Sequence, residues 1–379
     1  MEKLGCKSPS RGILIDKGSL RLKKIVIVTP HLSGLGGTET VIRDVVRRIN
    51  SGPGSYKIQL LVGGSDSTAW LAGIPSASYA SGHGNKLARA YSKMRALYKY
   101  FKEERPSMVI SIDTKLIRAC YLCRKMLGHK FPIVSWIHFS LFHEPTVHVK
   151  MLPYADYHFC ISTGIARQME SLGINPSVLF TIYNPVPRIE RTVPRPKDKV
   201  KFIYIGRIFF ERQKRLKDLL TALSGVSGDW QLNVYGDGED TDICKQFSNQ
   251  LGIQDRVIWN GWVDQAWEKI DEATALLLTS AYEGFGMVLT EAISRGVYCI
   301  SSDCETGPAD IIQQNVNGEL YRPGDLSQLR IILQSIVDGR KPLPDQEKIK
   351  ESIKSMYADH YYQTLLSDFD KISDDWNAK

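Results

Sequence analysis

Short apolar runs recur along the chain at 24–29, 58–62, 108–112, 133–136, 157–161 and 178–183. They are too short for buried helices and rich in Val, Ile and aromatic residues, as strands buried on both faces are. Between them the apolar positions fall at helical spacing, so the pattern predicts alternating strands and helices around a parallel sheet covered on both sides. The first run, Lys24-Ile-Val-Ile-Val-Thr29, feeds a glycine loop and a helix expected from Thr38 to Ile49. Then the texture changes. Asn184 to Asp198 holds four prolines and little apolar content, which reads as an extended linker.

A second series of the same rhythm begins at Lys201-Phe-Ile-Tyr-Ile-Gly206 and continues with strands near 231–235, 257–259, 275–278 and 298–301. The expected organisation is a flexible tail over 1–22, an α/β domain over 23–186, a linker over 187–199, a second α/β domain over 200–345, and terminal helices over 346–379 packing back toward the first domain. Two doubly wound parallel-sheet domains of this kind face each other across a cleft, and ligands bind outside the carboxyl ends of the strands.

Composition agrees with two domains: 379 residues, 43% hydrophobic and 24% charged, exceed what one core usually organises. No apolar stretch reaches the ~18 to 20 residues that cross a bilayer, and Met1 to Leu22 lacks the apolar centre of a signal peptide, so a cytoplasmic protein is expected. The seven cysteines are odd in number and lie mostly in apolar runs, which argues against a disulfide framework. Cys120-x-x-Cys123 has no second pair at metal spacing and reads as two buried residues on a helix.

The net charge of +8 is unevenly spread. Between Asn85 and Arg105 seven cations face only Glu103 and Glu104, so five of the eight net charges sit in one segment. Leu87, Tyr91, Met94, Leu97, Tyr98 and Phe101 recur there every three or four residues, which predicts a basic amphipathic helix. Its apolar face has two readings: core of the first domain, or docking on an anionic membrane surface. A nucleic-acid partner is not expected, because the cations cluster on one helix and no recognised nucleic-acid module is present.

The glycine loop after the first strand reads Gly34-Leu-Gly36-Gly37-Thr-Glu39. Glu39 stands where a dinucleotide fingerprint needs its third glycine, and the second strand ends Leu60-Leu-Val-Gly63 without a ribose-binding acid. What remains is backbone at a helix N-terminus, which favours an anion such as phosphate. More specific is Glu283-Gly-Phe-Gly-Met-Val-Leu-Thr-Glu291, directly after an apolar strand. Gly284 and Gly286 allow a tight turn, with Glu283 in the loop and Glu291 just over one turn into the next helix. Both carboxylates can face one ligand, with a diphosphate on the N–H groups around Gly286, Met287 and Val288. The competing reading makes Glu283 a capping acid and Glu291 a solvated helix residue.

This segment resembles the signature of glycosyltransferase family 4, retaining enzymes of the GT-B fold, and the resemblance extends over nearly everything from Lys24 onward. It implies that Glu283 lies near the donor sugar, that Glu291 contacts the nucleotide ribose, and that Gly284, Phe285, Gly286, Met287 and Val288 line the donor site. It implies also that Gly206-Arg207 and Lys214 neutralise the diphosphate. The family commonly has Lys-Gly after this basic pair, whereas Gln213-Lys214-Arg215 stands here, so either Lys214 or Arg215 is the inward cation.

The resemblance further assigns Gly36 and Gly37 to the β-phosphate, His138 to the sugar, and the backbone of Gly261, Trp262 and Val263 to the base. Glu39 and Asp113 are candidates on the acceptor side, although an N-cap explains Asp113 as well. Gly236-Asp237-Gly238 reads by default as a turn. With no Asp-x-Asp cluster, no metal or other cofactor is expected. Segments 36–45, 213–220 and 307–313 resemble bacterial lipopolysaccharide core galactosyltransferases. That implies UDP-galactose as donor, a core glucose as acceptor through an α-1,6 bond, and work at the cytoplasmic face of the inner membrane. Another donor or acceptor (UDP-glucose, a capsule or exopolysaccharide chain) and a UDP-sugar epimerase of the same fold are the alternatives.

Overall fold

The computed structural model describes residues 22–34, 36–79 and 85–379, so all but the last residue of the expected tail lies outside the described residues. Seven strands form the first sheet: β1 (Lys23–Thr29), β2 (Tyr56–Val62), β3 (Ser76–Ser78), β4 (Met108–Ser111), β5 (Ile133–Ile137), β6 (Tyr157–Cys160) and β7 (Leu179–Thr181). All pair in parallel, in the order β3-β2-β1-β4-β5-β6-β7. Their crossovers include the helices α1 (Gly37–Ser51), α2 (Lys86–Glu104), α3 (Thr114–Leu127) and α4 (Thr163–Ser171). Ile25, Val26, Ile27 and Val28 of β1 are completely buried, as a central parallel strand between helical layers must be. β3 escapes the apolar pattern because it is a three-residue edge strand, Ser-Ala-Ser, exposed at both ends.

The second sheet comprises β8 (Val200–Ile205), β9 (Trp230–Tyr235), β10 (Val257–Gly261), β11 (Ala275–Leu278), β12 (Tyr298–Ser302) and β13 (Gly318–Tyr321), in the order β10-β9-β8-β11-β12-β13. Around it and beyond lie α5 (Leu216–Ser224), α6 (Thr241–Gln250), α7 (Met287–Ile293), α8 (Pro308–Ile311), α9 (Leu326–Val337), α10 (Gln346–Glu351) and α11 (Ala358–Asn377). β13 is absent from the apolar pattern because Gly-Glu-Leu-Tyr is too polar to signal a strand. In each sheet the order reverses beside the first strand of its series, and the loops leaving β1, β8 and β11 open onto that switch point.

The two carboxyl edges meet directly. Thr163 donates through its N–H and hydroxyl to Asp310 at 3.0 and 2.6 Å, and the His143 ring stacks on Tyr282 at 5.2 Å. The proline-rich stretch after Asn184 is extended and bonded to the second domain: Val193 donates to the Arg295 carbonyl at 3.0 Å and Arg191 to the Ile270 carbonyl at 3.0 Å. The chain then returns. Tyr357 forms a bridge to Val186, after which α11 lies on the first domain, with Phe369 against Tyr56 at 5.3 Å and Phe159 at 6.0 Å.

The two halves of α2 differ in burial. Leu97 and Phe101 are buried, Phe101 meeting Phe131 edge-on at 5.6 Å. One and a half turns toward the N-terminus, Leu87 and Tyr91 are 81% and 73% exposed among the cations.

Candidate active site

A cavity of about 780 Å³ lies between the carboxyl edges and is lined from both domains. Its floor depends on backbone packed against backbone. Gly206 ends β8 at φ +154, and a Cβ on Gly236 would stand 1.9 Å from the Gly206 carbonyl oxygen, so only glycine fits at 236. Gly236 donates in turn to the Gly261 carbonyl at 2.7 Å, which engages that carbonyl in the fold. Neither Gly261 nor Val263 lines the cavity, but Trp262 does, with its side chain at the surface. Asp237 accepts from Gly238 N–H and Thr241, the behaviour of a turn residue.

The loop after β11 is laced to the loop before α5. Thr279 donates to the Lys214 carbonyl at 2.9 Å, and Ala281 N–H to the Gln213 carbonyl at 2.8 Å. The consequence is an ion pair across the two loops: Lys214 Nζ stands 2.6 Å from Glu283 Oε1, with the side chains 15% and 9% exposed. An ammonium has three donors, so this contact leaves Lys214 capacity for further oxygens. Arg215 turns the other way. It sits at φ +50, pairs with Asp218 at 2.6 Å and does not line the cavity, so Lys214 is the inward cation. Arg207 also lines the cavity, is exposed and has no carboxylate within ion-pair distance among the described residues.

Gly286 begins α7 at φ +97, which brings Met287 and Val288 to the cavity wall. Glu291, one turn on, accepts from Trp267 Nε1 at 3.0 Å through one carboxylate oxygen, and Arg295 covers the Trp267 ring at 5.0 Å. Held this way, Glu291 lines the cavity rather than the solvent face of its helix.

From the first domain, Gly36, Gly37 and His138 also reach the cavity. A Cβ on Gly284 would stand 2.3 Å from the His138 carbonyl oxygen, so the two domains touch at the cavity wall. The His138 ring is buried against Trp136 at 4.6 Å, and burial lowers its pKa to about 3. It is therefore neutral at physiological pH, and its Nε2 has no partner among the described residues.

Two sequence candidates are elsewhere. Glu39 is buried beneath the glycine loop, accepting from Ser33 Oγ and Gly34 N–H at 2.9 Å each, and its carboxylate fills the space a Cβ on Gly36 would need. It braces the loop and is not among the residues lining the cavity. Asp113 caps α3, accepting from Leu116 N–H at 2.9 Å, and is outside the cavity lining. Conversely, Phe139, Glu144, Asn184, Gln213 and Tyr282 line the cavity without having been singled out. Asn184 had a signal, as the first residue of the proline-rich stretch beside a strand end. No group of three or more His, Cys, Asp or Glu side chains converges as a metal site among the described residues.

Comparison with known proteins gives these groups a family. The profile described as "Glycosyl transferases group 1" matches residues 185–356. A lipopolysaccharide 1,6-galactosyltransferase of Escherichia coli (strain K12) is 41% identical over 350 residues, covering 90% of this chain and 96% of that protein. The chain belongs to the group 1 glycosyl transferases. A second such relative, from Salmonella typhimurium, is 41% identical over 325 residues, covering 83% of this chain and 90% of its own.

Among solved structures, the apo form of the lipopolysaccharide outer core galactosyltransferase WaaB matches with a TM-score of 0.85 and 38% identity, over 92% of this chain and 99% of that one. The fold of this glycosyltransferase is GT-B, as its Glu283 to Glu291 segment implied. Anabaena HepE in complex with UDP-glucose, 17% identical with a TM-score of 0.76 over 92% of this chain and 99% of that one, shares the fold alone.

Proposed function

We propose that this glycosyltransferase moves galactose from UDP-galactose to a glucose of the lipopolysaccharide core, forming an α-1,6 bond with retention at the anomeric carbon. The observation that carries the reading is 41% identity over 96% of the length of an E. coli protein named for that transfer. The cavity supports it chemically. Arg207 and Lys214 offer a guanidinium fork and an ammonium to a diphosphate, each charge-assisted bond contributing about 1.5–3 kcal/mol. Glu291 offers its second oxygen to ribose hydroxyls, and Glu283 with neutral His138 borders the sugar.

In the reaction the bond from the sugar C1 to the β-phosphate oxygen breaks while a bond from C1 to the acceptor hydroxyl oxygen forms on the same face. The hydroxyl proton passes to the departing phosphate oxygen. Negative charge grows on UDP as the bond breaks, so Arg207 and Lys214 stabilise the transition state more than the bound donor. These cations do the work that a metal does in other transferases, and the reading uses no metal or cofactor. Glu283 positions Lys214 and the sugar and does not act as a nucleophile.

On the acceptor side the reading uses Phe139 and Glu144 of the first domain, whose ring face and carboxylate suit a saccharide. The acceptor is carried on a membrane. Exposed Leu87 and Tyr91 among the cations of α2 supply an apolar and basic face for anionic headgroups at the cytoplasmic side of the inner membrane. No helix among the described residues is long and apolar enough to cross it.

A panel of UDP- and GDP-hexoses with truncated core oligosaccharide, scored for product mass and linkage, tests the proposal. A single α-1,6-linked galactose from UDP-galactose is expected. Preferred use of another sugar, or conversion of the UDP-hexose without an acceptor, would overturn it.

A further inference from the structure

Asn184 stands where the chain leaves the first sheet, three residues past β7 and directly before Pro185. The turn that delivers it is strained: Tyr183 adopts φ +58, a left-handed conformation that aromatic residues rarely take, with its ring 6.0 Å from Phe285. Asn184 itself is only 3% exposed and lines the cavity, yet its Oδ1 has no hydrogen-bond partner among the described residues. A buried acceptor left unpaired costs about 1–3 kcal/mol. Buried side-chain atoms in the same condition occur elsewhere in the chain, but of those residues only His138 and Asn184 line this cavity. A strained turn presenting an unpaired polar group to a ligand cavity is a local cost without a local return, which is the mark of a binding role.

The chemistry of the ligand follows from the groups. A carboxamide carries two donors and a two-lone-pair acceptor, and a neutral imidazole one of each, so together they match hydroxyls that donate and accept at once. A phosphate, which only accepts, would leave Oδ1 unpaired. Arg207 and Lys214 already supply the anion side, while Gly284 and Phe285 bring the sugar side of the site against the first domain. We propose that Asn184 is a hexose-binding residue, holding a hydroxyl of the transferred sugar through its amide beside His138. This rests on the reading of the cavity as a UDP-hexose site. Because a buried polar group left unpaired penalises a sugar lacking its partner, Asn184 also becomes a determinant of which hexose is accepted.

The test compares native protein with Asn184→Ala and Asn184→Ser by calorimetric binding of UDP and of UDP-galactose, by thermal melting without ligand, and by transfer from UDP-galactose and its monodeoxy analogues. UDP should bind all three proteins equally, whereas UDP-galactose should bind the variants roughly 10-fold to 100-fold more weakly, the loss of one to two charge-neutral hydrogen bonds with an unpaired partner. Melting of the variants should match or exceed native, since a buried unpaired group has been removed. One deoxy donor should be transferred equally by native and variant. If UDP and UDP-galactose weaken together, or melting falls and every deoxy donor suffers alike, Asn184 is structural and the inference fails. Unchanged UDP-galactose affinity also overturns it. The binding arm needs no turnover, so native protein that binds UDP-galactose without making a glycoside sinks the transfer reading while still scoring Asn184 separately.

Discussion

Replacing Lys214 by methionine keeps the aliphatic stem and removes one charge, so it isolates the Lys214–Glu283 pair. Its partner is almost buried and 2.6 Å away. Taking one member from a fully buried pair costs about 3–5 kcal/mol, because the survivor is left uncompensated in low dielectric. This pair borders an open cleft that water enters, which reduces the stability loss to about 2–3 kcal/mol and the melting temperature by roughly 4–6 °C.

The catalytic loss has a separate origin, the missing cation on the leaving diphosphate. One preorganised contact on a developing anion is worth about 3 kcal/mol, so kcat should fall roughly 100-fold while the donor KM moves only a few-fold. Adding Glu283→Gln to the same chain removes the uncompensated carboxylate. Melting should then recover while turnover stays low. Steady-state kinetics with UDP-galactose and differential scanning calorimetry measure the two effects. A Lys214→Met enzyme with near-native kcat and only a raised donor KM would refute the assignment of Lys214 to the leaving group.

Other consequences are open to measurement. Burial lowers the pKa of His138 to about 3 and of His158, bonded to Ser135 at 2.7 Å, to about 4. The unfolded chain therefore binds more protons than the folded one from about pH 6.5 down to those values, and stability is lost as pH falls through that window. Near pH 5 the loss is about 2 kcal/mol per histidine, read by chemical denaturation at pH 7.5 and 5.0; equal stability at both would contradict the burial of the two rings. Gly284→Ala puts a methyl group 2.3 Å from the His138 carbonyl, so it should force the domain edges apart and abolish transfer with little change in far-ultraviolet circular dichroism. Near-native transfer by this variant would show that the contact is not needed. Leu87→Asp with Tyr91→Asp should abolish sedimentation with vesicles containing anionic phospholipid while leaving transfer to a soluble core oligosaccharide intact. Undiminished sedimentation would remove α2 from the membrane interface.

Much of this protein is legible in one dimension because the relevant physics is local. Strands buried between helical layers must be short and apolar, so β1, β8 and β11 announce themselves, and the glycines at 206, 284 and 286 mark turns that a side chain would block. Glu283 and Glu291 are recognisable because their spacing across a glycine turn is a property of one segment. The tertiary structure decided what depends on partners distant in sequence. Glu39 and Asp113 carry the same charge as Glu283, but Glu39 is consumed by the loop it braces and Asp113 by the helix it caps, whereas Glu283 finds Lys214 at 69 residues' remove. Only the fold shows that Lys214 and not Arg215 turns inward, since neighbouring side chains differ by a left-handed backbone residue and a local carboxylate. The same holds for Asn184: only the fold shows that its Oδ1 is buried at the cavity wall without a partner among the described residues, and burial is a property of the whole chain, never of one residue in it.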